Sequence, residues 1–383
     1  MSVTAAKGFE AAGVSAGLKT SGAADVALIV NRGPLFSAAA VFTSNRSRAN
    51  PILWSEQVIA DGTVNAIILN SGGANCFTGH QGFQTVHATA DAVAAALQIS
   101  AGDVLVCSTG LIGEQLDRDR VLAGVADAVA ALNSHGGEAA ARAIMTTDSV
   151  PKLAVRIGDG WTVGGIAKGA GMLAPALATM LVVLTTDAEI DAAELDIALH
   201  AAARTTFNRL DSDGCTSTND QVTLLASGAS GIRPEVEDFT AALTDVCADL
   251  ARQLLADAEG ASHDITITVR GAANERDAEE VGRAIARSNL FKTAVFGNDP
   301  NWGRVLAAIG TTAAEFDPYN VDVSMNGVRV CHEGQPDVPR ERVDLTPREL
   351  LVELDLAVGS ASATILTNDL TLEYVHENSA YSS

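Results

Sequence analysis

The sequence predicts a mixed α/β fold, in which short apolar strands are interspersed with amphipathic helices. The first indication is the apolar run 180–184, which has glycines and a proline before it and Thr-Thr-Asp after it. The run is too short for a helix and is typical of a strand buried on both faces. The second indication is a helical spacing of apolar residues at Phe239, Leu243, Cys247, Leu250 and Leu254. A chain of 383 residues can build a large core from such elements, in two or three domains or one large layered domain.

Composition limits the classes of partner. The formal net charge is -22 and the pI is near 4.5, which argues against nucleic acid and anionic membranes, because both require basic patches. Because the overall charge is negative, a site for an anionic ligand needs a nearby lysine or arginine to create a local positive potential.

The cysteines and the first residues indicate a cellular compartment. The five cysteines are odd in number and contain no Cys-x-x-Cys pair, which predicts reduced thiols. Residues 1–20 lack the basic and apolar regions of a signal peptide, and no apolar run approaches 18 residues. We therefore expect a cytoplasmic protein.

The first third of the chain reads as strands joined by short connections. Apolar runs at 26–30, 38–42 and 64–69 predict strands, and 81–97 predicts a helix. The glycine-rich segment 70–75 between them lacks the Walker lysine pattern, so we interpret it as a strand-to-helix turn. A short strand at 104–107 ends in Ser108-Thr109-Gly110, and Val121, Val125, Val129 and Leu132 mark the next helix.

A predicted hairpin leads into the middle of the chain. A helix at 139–144 ends at Thr146-Thr147-Asp148. The runs 152–157 and 161–166 then flank Asp159-Gly160, which is a strong turn signal. Sheet pairing from this hairpin would hold Lys168 in register with Thr179.

The second half continues the mixture of helices and strands. Asp187 is expected to cap a helix carrying Ile190, Leu195 and Leu199, and strands are expected at 263–269 and on both sides of Asn326-Gly327. Helices are expected around Val281 and from Asp299. Thr346-Pro-Arg-Glu349 has the form of a capping box, but the alternation after it favours a strand, so both interpretations stay open.

The stretch 166–187 carries the most specific chemistry. Lys168 stands among small residues, Gly169, Gly171 and Pro175 follow, and Thr179 begins the buried strand. Cleavage between Ala178 and Thr179 would give the threonine a free α-amine with a pKa of roughly 7.7 to 8.0, able to take the proton from its own hydroxyl. On the residues alone this is a minority interpretation, because apolar strands commonly begin with threonine.

Several other motifs are weaker. Residues 169–174 match the dinucleotide fingerprint, but a proline and a strand follow where that fold needs a helix. Residues 211–220 resemble a calcium loop with its glycine misplaced, and the histidines form no zinc motif. Gly13-Val-Ser-Ala-Gly17 matches the nucleophile elbow without a predicted strand before it. A serine esterase or amidase acting through Ser15 is kept as the alternative enzyme.

Motifs spread along the chain resemble those of the ornithine acetyltransferases, the glutamate N-acetyltransferases of arginine biosynthesis. The resemblance begins in the central stretch, at Lys168-Gly-Ala-Gly-Met172 and Pro175-Ala-Leu-Ala-Thr-Met-Leu181. Further blocks in family order are Ala5-Ala-Lys-Gly-Phe9, Ser108-Thr-Gly110, Ile144-Met-Thr-Thr-Asp148, Asp299-Pro-Asn-Trp-Gly-Arg304 and Glu377-Asn-Ser-Ala-Tyr-Ser-Ser383. The resemblance therefore covers nearly the whole chain.

The resemblance implies a fold and an assembly. The fold is a layered α/β (α+β) sandwich with helices outside stacked β-sheets, similar to but distinct from the N-terminal-nucleophile hydrolases. Self-cleavage between Ala178 and Thr179 would give an α chain of residues 1–178 and a β chain of residues 179–383, assembled as an α2β2 heterotetramer. The non-enzymatic alternative is an uncleaved amino-acid-binding relative.

The resemblance also implies roles for individual residues. Thr179 would be the nucleophile, and Thr109 and Gly110 would stabilise the oxyanion. The implied substrate contacts are Thr147, with Thr146 as the fallback, together with Thr179, Glu259, Asn378 and Ser383. Our own hypothesis adds Lys168, placed eleven residues before Thr179, as the cation that pairs with a substrate carboxylate. The partners would be the small molecules N2-acetylornithine and glutamate, with no metal or cofactor and with acetyl-CoA as a candidate co-substrate.

Overall fold

A computed structural model describes residues 2–172 and 180–380. Within these ranges the strands are β1 (Phe9–Val14), β2 (Val26–Asn31), β3 (Ser37–Phe42), β4 (Ala66–Asn70), β5 (Val104–Ser108), β6 (Lys152–Ile157), β7 (Thr162–Lys168), β8 (Leu181–Thr186), β9 (Gln221–Ala226), β10 (Asp264–Ala272), β11 (Asp322–Met325), β12 (Val328–His332), β13 (Gln335–Pro336), β14 (Glu349–Asp355) and β15 (Ala361–Asn368).

The α-helices of the same ranges are α1 (Asn50–Val58), α2 (Gly79–Leu97), α3 (Arg118–Ala131), α4 (Gly137–Ile144), α5 (Ala192–Thr205), α6 (Val236–Ala256), α7 (Glu275–Ala286), α8 (Asn289–Phe296), α9 (Trp302–Ile309) and α10 (Leu372–Ala380). In the part of the chain that the structure describes, no helix is long and apolar enough to cross a membrane.

The strands form three sheets. The first has the order β1-β2-β4-β5, the second β3-β9-β8-β7-β6, and the third β13-β12-β11-β14-β10-β15. Parallel pairs β4/β5, β8/β9 and β10/β14 lie among antiparallel neighbours.

The first two sheets and their helices form four layers. One core joins facing side chains of the first and second sheets with α4. The outer face of the first sheet packs against α2 and α3, and the outer face of the second packs against α5 and α6. The third sheet has its own core with α7, α8 and α9. The predicted layered sandwich with helices outside stacked sheets is therefore confirmed.

Strand β8 shows why the central apolar run folds as it does. All six of its residues are buried. Leu181 and Val183 enter the core between the two sheets, whereas Val182 and Leu184 pack against α5 and α6. Side chains of a strand alternate between its faces, so a strand covered on both sides needs a continuous apolar run.

Three local expectations require correction. Asp187 does not cap α5; Asp191 does, through Glu194 N, and the Asp187 carboxylate instead accepts the amides of Lys7 and Thr162. At Thr346, where a capping box and a strand were both left open, the strand is confirmed and the capping box is wrong, because β14 begins at Glu349 and buries alternate apolar side chains between β10 and β11.

The third correction concerns the elbow motif. Strand β1 does precede Ser15, contrary to expectation. The Ser15 hydroxyl donates to the Gly22 carbonyl, and no helix begins in the described residues directly after it, which the elbow requires. The elements that had no counterpart in the sequence predictions are β1, β9, β13, β15, α1, α8 and α10.

Candidate active site

Most of the predicted site residues come together in one cavity of about 160 Å³. They are contributed by the end of β5, the segment after α4, the end of β7, the loop after α6, and α10. The cavity is lined by Thr109, Gly110, Thr146, Thr147, Lys168, Gly171, Met172, Glu259 and Asn378. Their roles as site residues stay predictions, but the fold places them where one small substrate would touch several at once.

Three predicted residues, Ala178, Thr179 and Ser383, lie outside the described residues. The described chain resumes at Met180, whose amide donates to Asp220 Oδ1 at 3.0 Å. Leu181 then pairs with Lys168 across β7 and β8. The start of β8 is thereby tied to the strand that carries the cavity's cation.

The loop after β5, which carries Thr109 and Gly110, packs tightly against the loop after β4. The Thr109 amide donates to the Asn70 carbonyl at 2.9 Å, and the Gly73 amide donates to the Thr109 carbonyl at 3.0 Å. Gly110 has a φ of +130°, and a Cβ there would lie 2.8 Å from the carbonyl carbon of Gly72. Only glycine fits this close approach of two loops.

Lys168 provides a buried positive charge beside that loop. Its side chain is 1% exposed, and its Nζ donates to Thr109 Oγ1 at 3.2 Å. Because Oγ1 accepts this bond, the hydroxyl hydrogen of Thr109 remains available as a donor. Burial lowers the pKa of the Lys168 ammonium, and Asp148 opposes that shift. A desolvated cation interacts strongly with an anion that enters the cavity.

Glu259 lines the same cavity, and both of its carboxylate oxygens accept hydrogen bonds. Thr147 Oγ1 donates to Oε1 at 2.7 Å, and Asn378 Nδ2 donates to Oε2 at 3.0 Å. Its amide donates to the Ala170 carbonyl at 2.9 Å. A Cβ on Gly171 would lie 2.6 Å from the carboxyl carbon, so the glycine is needed for the approach of Glu259. The cavity is thus lined by a carboxylate held in place and by the buried Lys168.

A buried ionic network that was not predicted from the sequence lies next to the cavity. Lys152 is 0% exposed and donates to Asp148 Oδ1 and Asp257 Oδ2, both at 2.6 Å. Asp148 also accepts the amides of Gly169 and Thr146. Burial alone would raise the pKa of Asp148, but Lys168, Lys152 and the Gly169 amide outweigh burial and lower it to about 2.

This network holds the backbone at Gly169, directly after Lys168, and its only sequence signal was Asp148 in the Thr-Thr-Asp motif. Lys152 stood at the start of an apolar strand without any mark of a buried partner.

A second buried carboxyl, Asp220, was also missed. Its side chain is 0% exposed, and Oδ2 has no hydrogen-bond partner among the described residues. Burial raises the pKa of Asp220 well above its usual range, although the Met180 amide and Lys168 oppose this. The next residue back, Asn219, donates from Nδ2 to the carbonyls of Ala74 and Ser108, beside the oxyanion loop. One loop therefore braces both the start of β8 and the predicted oxyanion hole.

In the described ranges, no group of three or more His, Cys, Asp or Glu side chains is arranged to hold a metal ion. In the loop that resembled a calcium site, Asp211 is paired with Arg287 at 2.8 Å and Asp220 accepts the Met180 amide. All five cysteines are free thiols.

Comparison with known proteins gives consistent results. The family model described as the ArgJ family matches residues 10–383. Proteins named arginine biosynthesis bifunctional protein ArgJ from Streptomyces avermitilis and Streptomyces coelicolor are 62% and 61% identical to this chain, over 100% of each sequence. A solved ornithine acetyltransferase from Mycobacterium tuberculosis, complexed with ornithine, is 54% identical. That match covers 47% of this chain and 96% of the other, with a TM-score of 0.45.

Proposed function

Because the chain belongs to the ArgJ family, we propose that it transfers the acetyl group of N2-acetylornithine to glutamate through an acetyl-threonine at Thr179. It is an acetyltransferase of arginine biosynthesis and acts on small-molecule substrates. The observation that carries the proposal is the buried ammonium of Lys168, which is hydrogen-bonded to Thr109 and lines one small cavity together with the carboxylate of Glu259.

The reaction begins with attack by Thr179 Oγ on the acetyl carbonyl of the donor. The α-amine of Thr179 takes the hydroxyl proton and returns it to the leaving amine of ornithine. Negative charge develops on the acetyl oxygen, where the Thr109 hydroxyl and the Gly110 N–H are the proposed donors. The ammonium of Lys168 polarises Thr109 from behind, which makes its hydroxyl a better donor.

The second half of the cycle repeats these steps in reverse. The amine of glutamate attacks the acetyl-threonine, and Thr179 is released as the free nucleophile. Glu259, with Thr147, Asn378 and Ser383, would orient the amino-acid substrates. Lys168 pairs with the carboxylate that donor and acceptor share. The acetyl group is conserved throughout, so no cofactor is required.

Cleavage of the chain into its two parts uses the same nucleophile, Thr179. Attack of Thr179 Oγ on the Ala178 carbonyl gives an ester, which water opens to an α chain of residues 1–178 and a β chain of residues 179–383. We propose that two copies of each assemble as an α2β2 heterotetramer in the cytoplasm. We also propose acetyl-CoA as an additional acetyl donor, which would give the protein a second transfer activity.

The test combines mass and transfer measurements. Intact mass of the denatured protein is expected to show two chains, the larger beginning with Thr179, and incubation with N2-acetylornithine alone is expected to add one acetyl group to that chain. Thr179→Ala should abolish both. An uncleaved protein that still transfers acetyl groups would overturn the mechanism, and labelling of Ser15 by a fluorophosphonate would favour the serine alternative.

A further inference from the structure

A second cavity shares Glu259 with the first. Its volume is about 290 Å³, and Glu259 belongs to the walls of both cavities. The second cavity is walled by α7, α8, the loop that begins at Asp211, and the segment from β15 into α10. The residues of its wall that matter here are Asp213, Glu259, Arg287, Asn289, Lys292 and Tyr374. None of these except Glu259 has a role in the proposed reaction.

The wall of this cavity carries two cations in a strongly acidic protein. Lys292, in α8, is 6% exposed, and its ammonium donates to the Ser212 carbonyl. Burial lowers the pKa of Lys292, and the neighbouring acidic groups, Asp213 foremost, oppose that shift. Arg287 follows α7 and donates from Nε to Asp211 at 2.8 Å. An ammonium has three N–H donors and a guanidinium has five, so each can serve a fixed partner and a ligand together.

The same cavity also presents acidic groups. Glu259 and Asp213 lie in the wall with the cations, and Asp213 acts electrostatically on both Lys292 and Tyr374. A ligand group of either sign would therefore find an opposite charge within this one space.

The reaction requires such a space. Donor and acceptor occupy the same site in turn, and their side chains end in opposite charges, an ammonium in ornithine and a carboxylate in glutamate. Extended, either side chain places its charged end about 5 Å from the α-carbon. A substrate whose acetylated or attacking nitrogen lies in the first cavity, with its α-carboxylate at Lys168, would extend its side chain past Glu259.

We propose that the second cavity is the side-chain subsite for both amino acids, an inference that rests on the proposed acetyl transfer. Lys292, with Arg287 beside it, holds the side-chain carboxylate of the glutamate acceptor. Glu259 and Asp213 hold the side-chain ammonium of the ornithine donor. Selectivity for the acceptor thus resides in α8, which is remote in sequence from every predicted catalytic residue.

The test separates acceptor recognition from chemistry. Glutamine has nearly the shape of glutamate without the side-chain charge, so the ratio of kcat/KM for glutamate to that for glutamine reports the subsite. We expect Lys292→Met to lower this ratio at least tenfold, mainly through KM for glutamate, and Lys292→Arg to restore part of it. The burst of ornithine from N2-acetylornithine without acceptor should still be observed, which shows that the acetyl-transfer chemistry is intact. Lys7→Met, which removes an exposed lysine, is the matched control.

An unchanged ratio in folded Lys292→Met protein would overturn the subsite. If that variant does not fold, the glutamate-to-glutamine ratio is measured in Arg287→Gln instead. The Arg287 side chain is 47% exposed, so this variant should fold. An unchanged ratio in this variant would also overturn the subsite. Failure of the proposed function is distinguishable, because the unaltered protein would then give neither the ornithine burst nor the acetylated chain.

Discussion

The substitution Gly171→Ala tests whether the placement of Glu259 determines activity. An added Cβ would lie 2.6 Å from both the carboxyl carbon and Oε1 of Glu259, whereas ordinary contact begins at 3.4 Å. Because Oε2 would lie closer still, the carboxylate would have to retreat by at least about 0.8 Å, which exceeds the spread of normal hydrogen-bond lengths. At least one of its bonds to Thr147 and Asn378, now 2.7 and 3.0 Å, would then be lost.

The expected effect is on catalysis more than on folding. Misplacement of a substrate-binding group by about 1 Å can reduce activity roughly a hundredfold, so kcat/KM for N2-acetylornithine should fall by roughly ten- to a hundredfold. The end of a glutamate side chain can move, and Gly171 has an ordinary φ, so the fold should survive. Steady-state kinetics would be measured on protein shown by intact mass to be fully cleaved.

Two comparisons make the result decisive. Gly303→Ala, in α9, is the matched control, because its added Cβ would meet nothing nearer than Asn301 Oδ1 at 3.5 Å. If the effect acts through Glu259, the double variant Gly171→Ala/Glu259→Gln should lose no more activity than Glu259→Gln alone. Full activity in cleaved Gly171→Ala protein, or additive losses in the double variant, would refute the reasoning.

Three further predictions follow from the buried charges around the cavity. Lys168→Met should raise KM for both amino acids, because the lost cation faces a carboxylate that they share; unchanged steady-state KM values would remove Lys168 from the site. The lowered Asp148 pKa of about 2, against about 3.9 in an unfolded chain, makes its carboxylate stabilising by about 2 kcal/mol above pH 4. That stability is lost as the pH falls toward 2, so urea unfolding between pH 5 and 2 should show a steeper decline for the unaltered protein than for Asp148→Asn, and equal slopes would contradict this. Asp220→Ala should slow chain cleavage by roughly tenfold, since the Met180 amide loses its acceptor; a time course of intact mass with no delay would count against it.

Predictions from the sequence were correct where the local pattern of apolar residues agrees with burial in the folded protein. The run beginning β8 and the amphipathic face of α6 are apolar because both contact the core between layers, and all five apolar positions predicted for α6 are buried. A prediction was wrong where two nearby residues could each cap the same helix. Asp187 and Asp191 are both acceptable caps, and only the turn between them, which directs Asp187 toward Lys7 and Thr162, decides between them.

The sequence by itself determined the mixed α/β class, most strand and helix positions and, through its ordered motifs, the family and the chemistry to expect. Only the tertiary structure decided which residues meet. Thr147 and Glu259 are 112 positions apart, and Glu259 and Asn378 are 119 apart, yet each pair shares a hydrogen bond. Hydrophobic periodicity reports which face of an element is buried and carries no information about the polar partner opposite it. Nothing in the sequence around Lys152 and Lys292 therefore indicated that the fold buries both side chains.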